Sequence, residues 1–245
     1  MKTVYILWQD KTQAGRMWHA VAKLTQMESG SYLFNYTEGA RNPRFQPFPR
    51  MIDKSKIYES IELFGFLKNR IPPASRPEHE ALFDWCNLTS ESSYLDLLAI
   101  SGGEKATDNY RVFSVPEQQN GFYINTFFVS GIRYLDKDQK LKIQMLKENQ
   151  TIGYELEDLN VNDPHAILLF EKEAKTTIGY YPRYLTDDLR KLHSLHSSVE
   201  IKVVKVNLDA PEQFRLLCRT KAKWPKYFQT CNHHEFQDYN PSKVL

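Results

Sequence analysis

A chain of 245 residues with 41% apolar, 25% charged and 13% aromatic residues is long and apolar enough for one large or two ordinary folded domains, and we read two. That composition argues against a chain dominated by disorder. A net charge of +2 is too small to mark a nucleic-acid binder by bulk charge, so the placement of the cations carries the information.

No run of about 18 apolar residues occurs, and "MKTVYILWQD" reaches a charge too early for the apolar core of a signal peptide. The expectation is a cytoplasmic protein with no membrane partner. Cys86, Cys218 and Cys231 form an odd, sparse set, which suits reduced thiols better than a disulfide framework.

In chain order, "KTVYILWQD", "RMWHAVAKLTQ" and "GSYLFNYTEG" read as short strands of a small sheet, rich in β-branched and aromatic residues and separated by Gly and Ser. "RNPRFQPFPR" holds three prolines and predicts an extended, exposed loop. Asp53 or Ser55 is then placed to cap a helix through "KIYESIELFGFLKNR", with Ile57, Ile61, Phe64 and Leu67 near helical spacing, until Pro72 and Pro73 stop it. A second helix is predicted from about Pro77 with Leu82, Phe83 and Trp85, and a third from after Ser90 to Gly102 and Gly103.

The polar segment "VPEQQNG", residues 115 to 121, is read as a domain boundary. Beyond it come "FYINTFFVSGIRYL", a charged stretch 137 to 149 that fits a helix or a loop, and then "TIGYEL", "AILLFE", "TTIGYY", "SVEIKVVKVNL" and "FRLLCRT" as short strands. One helix, "TDDLRKLHSLH", is expected to be capped by Thr186, with acids in its first turn. Many short strands with few helices predict a small, partly closed barrel.

Two basic clusters stand out. Arg41, Arg44, Arg50, Lys54 and Lys56 surround Phe45 and Phe48 with Asp53 as the one acid, and Arg215, Arg219, Lys221, Lys223 and Lys226 alternate with Trp224, Tyr227 and Phe228 and no acid at all. Cations that meet phosphates beside rings that stack on bases suit single strands; a solvated basic edge is the plainer reading of each cluster. The Asn- and Asp-rich turn 160 to 165 leads into a buried strand, and Gly179 is a position for close backbone approach. On these grounds alone Asp163 either caps its turn or contacts a ligand, and Arg133 with Tyr134 is either an exposed Arg over a half-buried ring or a binding pair.

The run "FFVSGIRY" (127 to 134), then "NVNDPHAI" (160 to 167), then "TIGYYPRYL" (177 to 185) resembles the HIRAN domain, an oligonucleotide-binding-like barrel. The resemblance covers residues 122 to about 230. In that family the Arg-Tyr after the first strand and the Asp of an Asn-x-x-Asp-x-x-Ala turn help to form a pocket for the 3′ end of single-stranded DNA. The resemblance therefore implies nucleic-acid-binding roles for Arg133, Tyr134, Asn160 and Asp163. Asn162 stands where DNA-binding members carry a Tyr that stacks on a base. A looser resemblance, on "LFGFLKNRIPP" and "YLDLLAISGG", is to the N-terminal portion of HipA-family kinases; it implies no kinase activity, since the kinase core is replaced by the HIRAN-like half, and a possible HipA-like kinase partner.

Catalytic and metal chemistry find no support in the spacing. "SGGEKAT" lacks the phosphate-loop pattern, Cys218, Cys231, His233 and His234 match no paired-ligand spacing, and His193 with His196 lacks a third ligand. The expectation is an α+β protein without catalytic residues, metal or cofactor. A small sheet-plus-helices domain over residues 1 to 118 serves interaction or coupling, and a HIRAN-like barrel over 121 to 245 binds single-stranded DNA or DNA ends through Arg133, Tyr134, Asn160, Asp163, Lys221, Lys223, Trp224 and Lys226. The alternative is an accessory or antitoxin-like partner of a HipA-type kinase in a toxin–antitoxin system.

Overall fold

Period-two burial builds the first sheet. In a computed structural model, which describes residues 1–12, 17–89, 91–105, 107–240 and 242, β1 (Lys2–Gln9), β2 (Trp18–Gln26), β3 (Tyr32–Tyr36), β4 (Tyr58–Ser60) and β5 (Tyr110–Phe113) form an antiparallel sheet in the order β4-β3-β2-β1-β5. Val4, Ile6, Leu24 and Phe34 point into its core. The expected exposed loop 41 to 50 is stitched down instead: Phe45 and Phe48 are buried against Tyr36, whose hydroxyl donates to Met51 O at 2.7 Å and accepts from Phe48 N at 2.8 Å. Proline forbids regular structure there but leaves the rings free to pack.

The helix expected from residue 56 to 70 is not formed. Asp53 Oδ1 accepts from both the Ser55 amide at 3.0 Å and its hydroxyl at 2.6 Å, closing a local turn rather than capping a helix. Edge strand β4 follows, and only Gly65–Lys68 is helical (α1). Tertiary pairing with β3 overrides the helical spacing, which leaves Ile57 and Ile61 on the surface. The next two helices form as read. α2 is Pro77–Trp85, and α3 is Tyr94–Ser101, closed by a Ser93–Asp96 capping box and by Gly102 in the left-handed conformation. Ser90, after which α3 was expected to start, lies outside the described residues.

The second sheet holds β6 (Gln118–Gln119), β7 (Phe122–Phe128), β8 (Thr151–Leu156), β9 (Ile167–Glu171), β10 (Thr177–Tyr180), β11 (Val199–Val206) and β12 (Leu216–Lys223) in the order β10-β9-β8-β11-β12-β7-β6. α4 (Lys137–Gln144) starts at an Asp136–Gln139 capping box, so the ambiguous charged stretch is helical. In α5 (Thr186–Ser194), Thr186 is the first helical residue and not the cap; its hydroxyl donates to Arg183 O at 2.8 Å. The expected barrel is an open antiparallel sheet, not a closed one. One isolated bridge, Ser130 with Tyr180, joins the exit of β7 to β10 through two hydrogen bonds of 2.8 Å.

Contacts divide the chain into two compact units, one of Met1–His79, Glu91–Val115 and Asn232–Leu245 and the other of Glu80–Ser90 and Pro116–Cys231. The architecture is α+β, and the chain passes between its units more than once.

Candidate nucleic-acid interface

The turn between β8 and β9 is built by its own side chains. Asn160 Oδ1 accepts from the amides of Asn162 and Asp163 at 3.0 and 3.1 Å, while its Nδ2 donates to Glu157 at 2.6 Å. Asp163 caps the turn, taking the His165 amide at 3.0 Å, and its other oxygen meets Arg183 Nε at 3.2 Å. Arg190 of α5 then clamps the loop from behind, donating to His165 O and Ala166 O at 3.1 Å each and to Asp158 at 2.6 Å. Leu159 and Val161 are left 95% and 96% exposed on this braced frame.

Two glycines bring the neighbouring segments together. At Gly179, φ is +131° and a Cβ would lie 2.5 Å from Val129 Cγ1 and 2.6 Å from Ser130 O, so only glycine permits the Ser130–Tyr180 bridge. At Gly131, φ is +82° and the space for a Cβ ends 3.4 Å away on the Tyr180 ring. The Tyr180 hydroxyl in turn faces Glu157 and Asn160; burial raises its pKa, and the Glu157 charge adds to the effect. The three motif segments 127 to 134, 160 to 167 and 177 to 185 thus meet through Tyr180, which faces Asn160, and the Asp163–Arg183 pair. Arg133 and Tyr134 occupy a short 3₁₀ turn at this corner, both exposed, with the Arg133 guanidinium 4.6 Å from the Tyr134 ring centroid and hydrogen-bonded to its hydroxyl.

Lys221, Lys223, Trp224 and Lys226 lie elsewhere. Lys223 pairs with Phe122 and Leu217 with Phe128, so the lysines flank the start of β7 and Arg133 follows its end, roughly 20 Å away at about 3.4 Å per residue. Alternation along β12 turns Arg219, Lys221 and Lys223 to solvent. Trp224 turns inward, packing with Tyr123, Leu192, Ala222 and Phe228 and donating from Nε1 to Phe228 O at 3.2 Å. The exposed ring of this segment is Tyr227, 86% accessible, with Lys226 Nζ 5.0 Å from its centroid.

Four of the five cations of the first basic cluster are engaged within the fold. Arg41 pairs with Glu38, Arg44 with Asp10 and Lys56 with Asp53, while Lys54 donates to Ala40 O. Cys218 is buried inside β12, where burial pushes its thiol pKa up, and the Cys231 sulfur lies 3.9 Å from Asp188. No group of three or more His, Cys, Asp or Glu among the described residues is arranged to hold a metal ion. His193 bonds to the Tyr154 hydroxyl at 3.0 Å. No helix among the described residues is long and apolar enough to cross a membrane.

Sequence reasoning missed Tyr180, Arg183 and Arg190. All three stand in or just after the "TIGYYPRYL" motif, and only their side-chain contacts with residues 157 to 166 reveal what they face. No protein-family model matches the chain, and no curated protein matches it. Among solved structures, a crystal structure of a Lactobacillus plantarum protein aligns with 20% identity over 42% of this chain and 97% of its own, with a TM-score of 0.35. The HIRAN domain of human HLTF aligns with 16% identity over 42% of this chain and 74% of its own, with a TM-score of 0.32.

Proposed function

We propose that the chain is a non-enzymatic nucleic-acid-binding protein that holds single-stranded DNA by a 3′ end at the corner of residues 130 to 134, 157 to 166 and 180 to 183. The observation that carries this reading is the exposed Arg133–Tyr134 pair on a 3₁₀ turn that packs against Tyr180, while Tyr180 and Arg183 in turn reach the braced turn and its Asp163 carboxylate. Arg133 and Arg183 are suited to phosphate oxygens and the Tyr134 ring to a base. A carboxylate offers about four acceptor sites. Asp163 uses two of them on His165 and Arg183, which leaves capacity for a terminal hydroxyl.

The test is fluorescence anisotropy with three single-stranded oligonucleotides, one ending in a 3′ hydroxyl, one in a 3′ phosphate and one circular. The 3′ hydroxyl form should bind tightest. Arg133→Ala with Tyr134→Ala should cost tenfold or more, from a stack of about 1 to 3 kcal/mol and a charge-assisted bond of about 1.5 to 3. Asp163→Asn keeps the turn's acceptor and should remove the hydroxyl preference. Equal affinity for all three oligonucleotides would end the 3′-end reading.

A second reading, a regulatory partner of a HipA-type kinase, draws on Ile52, Ile57 and Ile61, which are 76%, 69% and 89% exposed around edge strand β4. Co-purification in which Ile57→Asp with Ile61→Asp releases a kinase would favour it.

A further inference from the structure

The solvent face of β12 carries Arg219, Lys221 and Lys223 at every second residue, a repeat of about 6.8 Å. Beside them on β7 the register places Thr126, Ile124 and Phe122, and Lys221 Nζ lies 4.3 Å from the Phe122 ring centroid. On the other flank, β11 sets Lys202 opposite Arg219 and Glu200 opposite Lys221. Glu200 is held by Lys202 at 3.1 Å, so the row keeps a cationic excess along its length.

The loop that continues this row is anchored at both ends. Trp224 packs edge to face at 5.1 Å on Phe228 of the core cluster, and Phe228 N donates to Pro225 O at 3.2 Å. Between them Lys226 and Tyr227 project outward, and Tyr227 has a φ of +65°, a left-handed conformation that a bulky residue keeps only where its surroundings impose it. Packing of its neighbours thus fixes the backbone that presents this exposed ring, in the loop that follows the row of cations.

We infer that the outer face of β12 and the Lys226–Tyr227 tip form a second seat, independent of any strand end, for an internal stretch of single-stranded nucleic acid. Evenly spaced cations follow a phosphate backbone, and a ring in line with them stacks on an unpaired base, which a duplex would keep inside its own stack. The inference shares only its ligand class with the end-binding reading, because the two places flank opposite ends of β7.

The experiment uses the full chain and a circular oligo-dT, which has no end to offer. It should bind, with an affinity that falls steeply with salt. Lys221→Ala, Lys223→Ala and Lys226→Ala together should flatten the slope of log K against log salt by about two units, at about 0.7 per phosphate contact on a single strand. Tyr227→Asn removes the ring while keeping a residue at home in the left-handed region, and should weaken binding about fivefold or more, with Tyr227→Phe close to the parent. No circular binding, or circular binding that neither variant alters, would overturn the inference even where 3′-end preference survives. Loss of that preference with circular binding intact would sink the end reading alone. Equal affinity for anionic vesicles, with Tyr227→Asn silent, would overturn the nucleic-acid assignment in favour of a general polyanion surface.

Discussion

Asp188 stands in the first turn of α5, 6% exposed, with its carboxylate accepting from Cys231 N at 2.9 Å. Burial is the main cause that pushes its pKa up to about 6; the Cys231 amide opposes the shift, Asp187 adds to it and Lys191 lowers it. A carboxyl raised on folding keeps its proton in the native state between its ordinary value, about 3.9, and the raised one, so the native state binds more protons in that window. Stability is therefore full below about pH 4, falls as pH rises through 6 and levels off above, by an amount on the order of 3 kcal/mol. Asp188→Asn keeps an acceptor for Cys231 without a charge. It should match the parent at pH 4 and exceed it by about 2 kcal/mol at pH 7.5, checked by urea unfolding across that range; parallel curves would assign the titration to other groups. Residues of this kind are not legible in a sequence, because an Asp in the first turn of a helix reads as a solvated partner of the helix dipole. The same limit applies to Trp224 and Tyr227. Both are aromatic neighbours of lysines, and only the fold of the loop sends one inward. Trp224→Ala should accordingly lower stability by about 2 to 4 kcal/mol in a urea titration, whereas Tyr227→Asn should leave the midpoint nearly unchanged.

At the scale of elements, strands of the second sheet were legible because β-branched and aromatic runs end at Gly, Pro and Asn there. The helix read over 56 to 70 was not, since Ile57, Ile61 and Phe64 repeat near 3.6 while the local turn at Asp53 and pairing with β3 decide the outcome. Gly179 was legible in a stronger sense, as a glycine inside a strand pattern marking close approach. Its substitution tests that the bridge holds the corner. Gly179→Ala combines a backbone penalty of about 1 to 3 kcal/mol with a steric one of similar size, so a loss of roughly 2 to 6 kcal/mol is expected in urea unfolding. Hydrogen exchange at the Ser130 and Tyr180 amides should accelerate in step. A midpoint within experimental error of the parent would mean that β7 and β10 are held together by other contacts.

At the scale of the whole molecule, composition marks one boundary near residues 115 to 121, yet the segment from Asn232 onward belongs with the first unit. Nothing in "NHHEFQDYN" alternates; it docks by backbone pairing and charge, which periodicity does not report. Gln237 O accepts from Glu38 N at 2.9 Å, Tyr239 N donates to Tyr36 O at 3.1 Å, and Thr37 bridges Asp238. Phe236 packs 5.2 Å from Tyr5 and 5.9 Å from Phe113 between ring centroids, while Glu235 meets His19 at 2.7 Å and Asp238 meets Lys23 at 2.6 Å. Hydrogen bonds at about 1 kcal/mol each, partial burial of one Phe at about 1 to 2, and partly exposed ion pairs at well under 1 combine to roughly 3 to 5 kcal/mol. Truncation after Cys231 should therefore lower the thermal midpoint of the first unit, and a synthetic peptide of residues 230 to 242 should restore part of it by mass action. Binding of circular oligo-dT should survive the truncation, because Arg219, Lys221, Lys223 and Tyr227 all belong to the second unit. An unchanged midpoint would show that the tail contributes no net stability, and lost oligo-dT binding would show that the second unit depends on the first for its own fold.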